Sequence, residues 1–310
     1  MNRSLTGVPG LRVGHATAVD GTSGCTVVLG PFRAAVEVRG LATGSRELGV
    51  LAPEHLVPRV DALLLTGGSA FGLSAADGVM AWLAEAGQGY DTGVVPVPIV
   101  PAAVIFDLTD DSARPDPHMG RLACDEASNA PVAEGRVGAG TGATVGKLAG
   151  RERASEGGLG SWAVEAGGHR VAALAVVNAL GEVRDADGQV VAGVRDPEGG
   201  FVRTEVLLRK APEGGEMADV PAGSNTTLAV VATDAPLDRL GLARVARMAS
   251  NALARRIHPV HTPFDGDVVF AVSTAPTSEA VSSARILALG AAAQDALETA
   301  ITRAVVEGER

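Results

Sequence analysis

The stretch GSNTTLAVVATD, residues 223–234, decides the reading of this chain. From 226 to 233 it holds only apolar residues and threonines, without the alternation of a half-exposed strand. It therefore reads as a strand covered on both faces. Directly before it lies APEGGEMADVPAG, residues 211–223, whose Pro, Gly and acidic residues read as an exposed loop. A loop that runs straight into a buried strand beginning with threonine admits two readings. One is an ordinary strand start, because threonine is favoured in strands. The other is chemical. The Thr226 hydroxyl can attack the Asn225 carbonyl and turn that peptide bond into an ester, which water then opens to leave Thr226 as a new N-terminus. Such a residue carries nucleophile and base together, since an α-amine has an unperturbed pKa of ~7.7–8.0.

Further Val-rich runs flank this one. Residues 25–29, 34–38, 62–66, 99–106, 171–177 and 267–273 read as buried strands. Pro101 implies that the fourth starts after it or lies at an edge. Helical spacing covers 69–86, with Phe71, Val79, Trp82 and Leu83 as its apolar side chains. It covers 237–256, where Leu240, Val245, Met248, Ala252 and Leu253 share a face and Asp234 and Pro236 stand in the cap region. The longest helix is expected over 283–307. The acidic, Pro-containing stretch 109–117 reads as a second loop. Strands alternating with helices imply one layered α/β domain.

Composition narrows the function. The 310 residues are 46% apolar and 20% charged, enough for a large globular core. A formal net charge of −10 disfavours nucleic acid and anionic membrane as partners. No apolar run reaches the ~18–20 residues of a membrane helix, and the N-terminus lacks the apolar segment of a signal peptide. The expected location is the cytoplasm. Cys25 and Cys124 make no disulfide framework and are expected to be buried. The only two lysines are Lys147 and Lys210, and lysine, unlike arginine, can give up its proton.

Several motifs fail on inspection. GTGATVGKL has Thr141 where a phosphate-binding loop needs glycine and Leu148 where it needs Ser or Thr. GAGTGA at 138–143 is a weak dinucleotide pattern with no clear strand before it. GGSAFG misses the nucleophile elbow because Phe71 stands in place of glycine. Gly67 and Gly68 read instead as a tight start whose N–H groups face a carbonyl or carboxylate. His258 and His261 lack the spacing of two ligands on one helix face, and Pro259 interrupts them, so they read as a turn into the next strand.

Five ordered segments carry a resemblance: LTGGSAFGLSAADGV (65–79), GRVGAGTGATVGK (135–147), VVNALGEV (176–183), GSNTTLAVVATD, and HTPFDGDVVFAVST (261–274). Together they resemble the DmpA/NylC family of P1-type peptidases, peptidase family S58. That family includes β- and D-aminopeptidases and endo-type 6-aminohexanoate (nylon) oligomer hydrolases. The resemblance implies an αββα four-layer sandwich, similar to N-terminal-nucleophile hydrolases, with connectivity of DmpA/ornithine acetyltransferase type. It implies self-cleavage between Asn225 and Thr226 into a large chain, 1–225, and a small chain, 226–310. It makes Thr226 the nucleophile and Lys147 a neighbour that helps keep the threonine amine neutral. Asn178 becomes an oxyanion donor, and Asp265 and Asp267 orient Thr226 and Lys147. Gly67, Gly68 and Phe106 fall to substrate binding. Phe106 departs from the pattern, because the nylon-oligomer hydrolases carry Tyr where this chain reads VIFDL.

The implied reaction needs no cofactor and no metal. The implied partners are a small linear amide or peptide substrate and further copies of the chain, as a tetramer or larger assembly of cleaved pairs. The Asn-Thr junction and the D-G-D pair favour 6-aminohexanoate oligomers as substrate. A β- or D-aminopeptidase of the same family is the alternative. Two readings of other classes are an acyltransferase of ornithine acetyltransferase type and an uncleaved binding protein.

Overall fold

The computed structural model describes residues 2–210 and 224–306. In chain order its frame consists of β1 (Arg12–Thr17), β2 (Gly24–Val38), β3 (Val60–Thr66), α1 (Ala75–Glu85), β4 (Ala102–Val104) and α2 (Pro117–Asp125). It continues through β5 (Gly158–Ala166), β6 (His169–Asn178), β7 (Thr226–Thr233), α3 (Arg239–Ala249), α4 (Asn251–Arg256), β8 (Val268–Ser273) and α5 (Ser283–Val306).

One long strand belongs to two sheets. The first half of β2 pairs antiparallel with β1 and β3, and β3 pairs in parallel with β4. The β2–β3 register shifts between Leu29 and Phe32, and the second half of β2 pairs with β8 instead. Beyond β8 the order runs β7, β6, β5, with β7 parallel to β8 and antiparallel to β6. The strand that begins at Thr226 is thus interior to its sheet.

Alternation along each strand divides the core into three. Ala172, Leu174 and Val176 of β6 and Leu228 and Val230 of β7 meet Val28, Leu63 and Leu65 between the sheets. Their neighbours Ala173, Ala175, Ala229 and Val231 face α3, α4 and α5. On the far side Val27, Leu29, Ala62 and Leu64 face α1 and α2, together with the buried Cys25 and Cys124. Both faces of both sheets are covered, which is why the strands read as continuous apolar runs. The result is the four-layer αββα sandwich.

Several local expectations need correction. Residues 25–29 and 34–38 are one strand. The expected 99–106 strand shrinks to β4, which starts after Pro101. The 69–86 helix breaks into Ser69–Gly72 and α1, and the first piece ends at a residue that must be glycine, since a Cβ at Gly72 would stand 1.9 Å from the Gly67 carbonyl oxygen. Phe71 is 57% exposed and Leu240 49%, so neither belongs to the core. The 237–256 helix is capped by Asp238, whose carboxylate accepts from Gly241 N at 2.7 Å, and it divides at Ser250. The loop 109–117 ends in the first turn of α2, capped by Asp116. The expected loop 211–223 and the last residue of the 283–307 helix lie outside the described residues.

Candidate active site

Register brings the chemistry together. Thr226 opens β7 opposite Asn178, the last residue of β6. Asn225 bridges in parallel to Asp265 ahead of β8. Lys147 leaves the short strand Thr144–Val145 and is held beside the end of β6 by Lys147 N to Leu180 O at 3.1 Å. Gly146, at φ +80°, makes that approach possible, because a Cβ there would stand 2.3 Å from the Gly193 carbonyl carbon. Thr226, Asn178, Lys147, Asp265 and Asp267 are all buried.

Thr226 Oγ1 donates to the Asn225 carbonyl oxygen at 2.6 Å. The same oxygen accepts the backbone N–H of Gly266 at 2.8 Å. A hydroxyl therefore lies against a carbonyl that a second donor already polarises. One residue upstream, the Ser224 carbonyl accepts from Lys147 Nζ at 3.0 Å and Asn178 Nδ2 at 3.3 Å. Asn178 Oδ1 accepts from Lys147 Nζ at 2.8 Å and Thr144 N at 3.0 Å, which fixes the amide with its NH2 group towards the Ser224 carbonyl.

The acids form a graded pair. Asp267 is anchored at both oxygens, by Thr227 N at 2.7 Å and His261 Nδ1 at 2.9 Å. Asp265 Oδ2 accepts from Thr262 N at 2.7 Å. Burial first, and the neighbouring Asp267 second, push the Asp265 carboxyl up to about 6. Burial first, and the charge of Arg151 second, push Lys147 well below its ordinary value. Asp265 and Asp107 oppose that shift.

Asp107, His261 and Gly266 also belong here, though sequence reasoning gave none of them a place in the site. Asp107 is buried, accepts from Ser23 Oγ at 2.7 Å and Gly68 N at 2.7 Å, and is raised above its ordinary value chiefly by burial. The Gly67 N–H goes to Gly24 O at 2.9 Å, so both glycine N–H groups serve internal acceptors. Gly67 must lack a side chain because a Cβ would stand 2.3 Å from Asp107 Oδ2. Phe106 offers its carbonyl to Asn178 Nδ2 at 3.1 Å. His261, expected as a plain turn, holds Asp267 from a backbone at φ 56°, a strained region for histidine. Gly266 sits so close that a Cβ would lie 2.7 Å from Thr226 Oγ1. The signals were present as VIFDL and HTPFDGD, but neither says which atoms meet.

Among the described residues, no group of three or more His, Cys, Asp or Glu is placed to hold a metal ion, and no helix is long and apolar enough to cross a membrane.

The profile of peptidase family S58 matches residues 3–310. This chain belongs to peptidase family S58. Among its relatives, an uncharacterized aminopeptidase of Mycobacterium leprae is 39% identical over 341 residues, covering 99% of this chain and 91% of that protein. The 6-aminohexanoate-oligomer endohydrolase of Kocuria sp. is 32% identical over 308 residues, covering 96% of this chain and 84% of that one. Among solved structures, a Burkholderia sp. β-aminopeptidase superposes with a TM-score of 0.72 at 25% identity, covering 98% of this chain and 86% of that one. An L-aminopeptidase D-Ala-esterase/amidase from Ochrobactrum anthropi, described as a variant of the Ntn hydrolase fold, has a TM-score of 0.74 at 23% identity over 98% of this chain and 85% of that one, a likeness of fold alone. The S58 chain is a hydrolase acting on amide bonds.

Proposed function

We propose that this S58 peptidase is a precursor that cuts its own chain between Asn225 and Thr226 and then hydrolyses linear amides with the freed Thr226. The observation that carries this is the Thr226 hydroxyl, 2.6 Å from an Asn225 carbonyl oxygen that also accepts the Gly266 N–H. In the first reaction Thr226 Oγ1 attacks the Asn225 carbonyl carbon and yields a proton to a base, a role given to Asp265, whose backbone bridges to Asn225 and whose carboxyl is pushed up to about 6 by burial. Gly266 N–H holds the oxyanion. The Thr226 nitrogen then leaves, taking a proton, and an ester joins Asn225 to the threonine oxygen. Water opens the ester to the Asn225 carboxylate and a free threonine amine.

In turnover the freed amine is the base for its own hydroxyl. Lys147 Nζ, 2.8 Å from Asn178 Oδ1, holds that amide in place beside the freed amine. Asn178 Nδ2, released from the Ser224 carbonyl, becomes available to the substrate oxyanion. The amine product leaves, and water hydrolyses the acyl-threonine. No cofactor enters this scheme. The mature protein is then a pair of chains, 1–225 and 226–310, assembling with further copies.

Linear ω-amino-acid amides such as 6-aminohexanoate oligomers are the substrate class suggested by the Asn-Thr junction and by the endohydrolase relatives. Relatives named aminopeptidases, 39% identical, favour a second reading, removal of an N-terminal β- or D-amino residue. Intact mass of the purified protein beside Thr226→Ala tests the scheme. Two fragments meeting at 225/226, absent from the variant, support it. One uncut chain in both overturns it. Hydrolysis of 6-aminohexanoate oligomers against β-aminoacyl and D-aminoacyl amides separates the two substrate readings.

A further inference from the structure

The loop that leaves Phe106 is bordered by two arginines. It starts where Asn178 Nδ2 holds the Phe106 carbonyl, and it returns to pack Pro115 and Arg114 on Gly68. Arg151 fastens its start through the carbonyls of Leu108 at 2.8 Å and Asp107 at 3.2 Å. At its end the Arg114 guanidinium carbon lies 4.2 Å from the centre of the Phe71 ring. Phe71 is 57% exposed in a chain that is only 3% aromatic. Among the described residues neither Arg114 nor Arg151 forms an ion pair, although Asp110 and Asp111 stand on the same loop. Arg151 answers the charge of the buried Asp107, which leaves the Arg114 guanidinium and an exposed ring, on a chain of net charge −10, beside the loop that touches the oxyanion donor.

We propose that Phe71 and Arg114 form a subsite for the carboxylate-bearing end of the substrate, the half that is released as the amine. An aliphatic spacer lies on the ring, and the guanidinium, already held over that ring, takes the carboxylate. Arg151 adds positive potential at the loop's root while its N–H groups stay on backbone. This rests on the amide-hydrolase reading and adds to it the polarity of the substrate: a free carboxylate on the leaving side, with no requirement for it on the acyl side.

The test compares the 6-aminohexanoate dimer with its C-terminal carboxamide in the wild type and in Arg114→Gln, an exposed substitution expected to leave folding intact. The expected result is a KM about tenfold higher for the carboxylate substrate in Arg114→Gln, with kcat unchanged and the carboxamide unaffected. Equal effects on both substrates, or none, overturn the subsite. A second arm needs no turnover: hexanoate and hexanamide are titrated into Thr226→Ala and into Thr226→Ala/Arg114→Gln. Preference for hexanoate that disappears with Arg114 supports the subsite; absence of preference in Thr226→Ala overturns it. Failure of the wild type to hydrolyse either dimer counts against the hydrolase substrate reading, and the titration still decides the subsite.

Discussion

Gly266 donates its backbone N–H to the carbonyl oxygen of Asn225 at 2.8 Å, across a parallel bridge between Asn225 and Asp265. The two residues are far apart in sequence, and sheet pairing alone sets their meeting. A donor built into the backbone cannot rotate away, so the Asn225 carbonyl is held polarised.

Gly266→Ala keeps that donor but adds a Cβ 2.7 Å from Thr226 Oγ1. The hydroxyl must move, and misplacement of about 1 Å can cost roughly 100-fold in rate. Self-cleavage slowed by about that factor is expected, followed by intact mass over time. Normal cleavage would show that the hydroxyl position is not critical.

Asp265 gives a pH signature. Its folded pKa, about 6, lies above the unfolded value of ~3.9, so the folded protein binds more protons in between. Stability from this group is full below pH ~4 and is lost as pH rises through about 6, a trend that Asp265→Asn should remove. Self-cleavage that needs the ionised form should rise with pH and level off above about 6. Asp267→Asn, by removing a like charge, should move that limb to lower pH. Rate profiles across pH 4–8 read both effects.

Lys147 predicts the opposite slope. Burial holds its folded pKa well below the usual lysine value, while the unfolded chain keeps the proton up to about pH 10.4. Folding therefore releases a proton in that window, and stability rises with pH there. Denaturant midpoints of the wild type, compared with Lys147→Met from pH 7 to 10, should shift in favour of the wild type as pH rises. A constant difference would mean that Lys147 titrates normally.

His261 combines strain with a bond to Asp267 Oδ2 at 2.9 Å. His261→Gly and His261→Ala both lose that bond, but only glycine relaxes the backbone. The glycine variant should be more stable by ~1 kcal/mol, with activity reduced in both. Equal melting temperatures would argue against strain at 261.

Asp107→Ala leaves Ser23 Oγ and Gly68 N without their acceptor in a buried place, and about 2–3 kcal/mol of stability should go with it. Asp107→Asn retains an acceptor for Gly68 and should lose clearly less, as read by chemical denaturation.

The frame was legible because its strands are buried on both faces: 62–66, 171–177 and 226–233 all fall within observed strands. β1 and β5 were missed because RVGHAT and GLGSWAVEA dilute their apolar residues with glycine and polar side chains. The break at Ser250 was hidden because helical spacing runs through it. Thr226 and the four residues gathered around it were legible only through the order of their motifs, since each alone has an ordinary explanation. Asp107 was not legible, because its meaning depends on Ser23, 84 positions away. His261 lies in the expected turn before β8, but spacing says nothing of its bond to a carboxylate six residues on.

The placement of β7 between β6 and β8 has a consequence for the protein's history. A cut at its first residue would turn a single-chain sheet into one stitched from two molecules. Unfolding would then separate partners whose reunion depends on their concentration, whereas the uncut chain refolds by itself at any dilution. A protein of this kind would learn its shape once, as a precursor, and keep it afterwards only by not letting go.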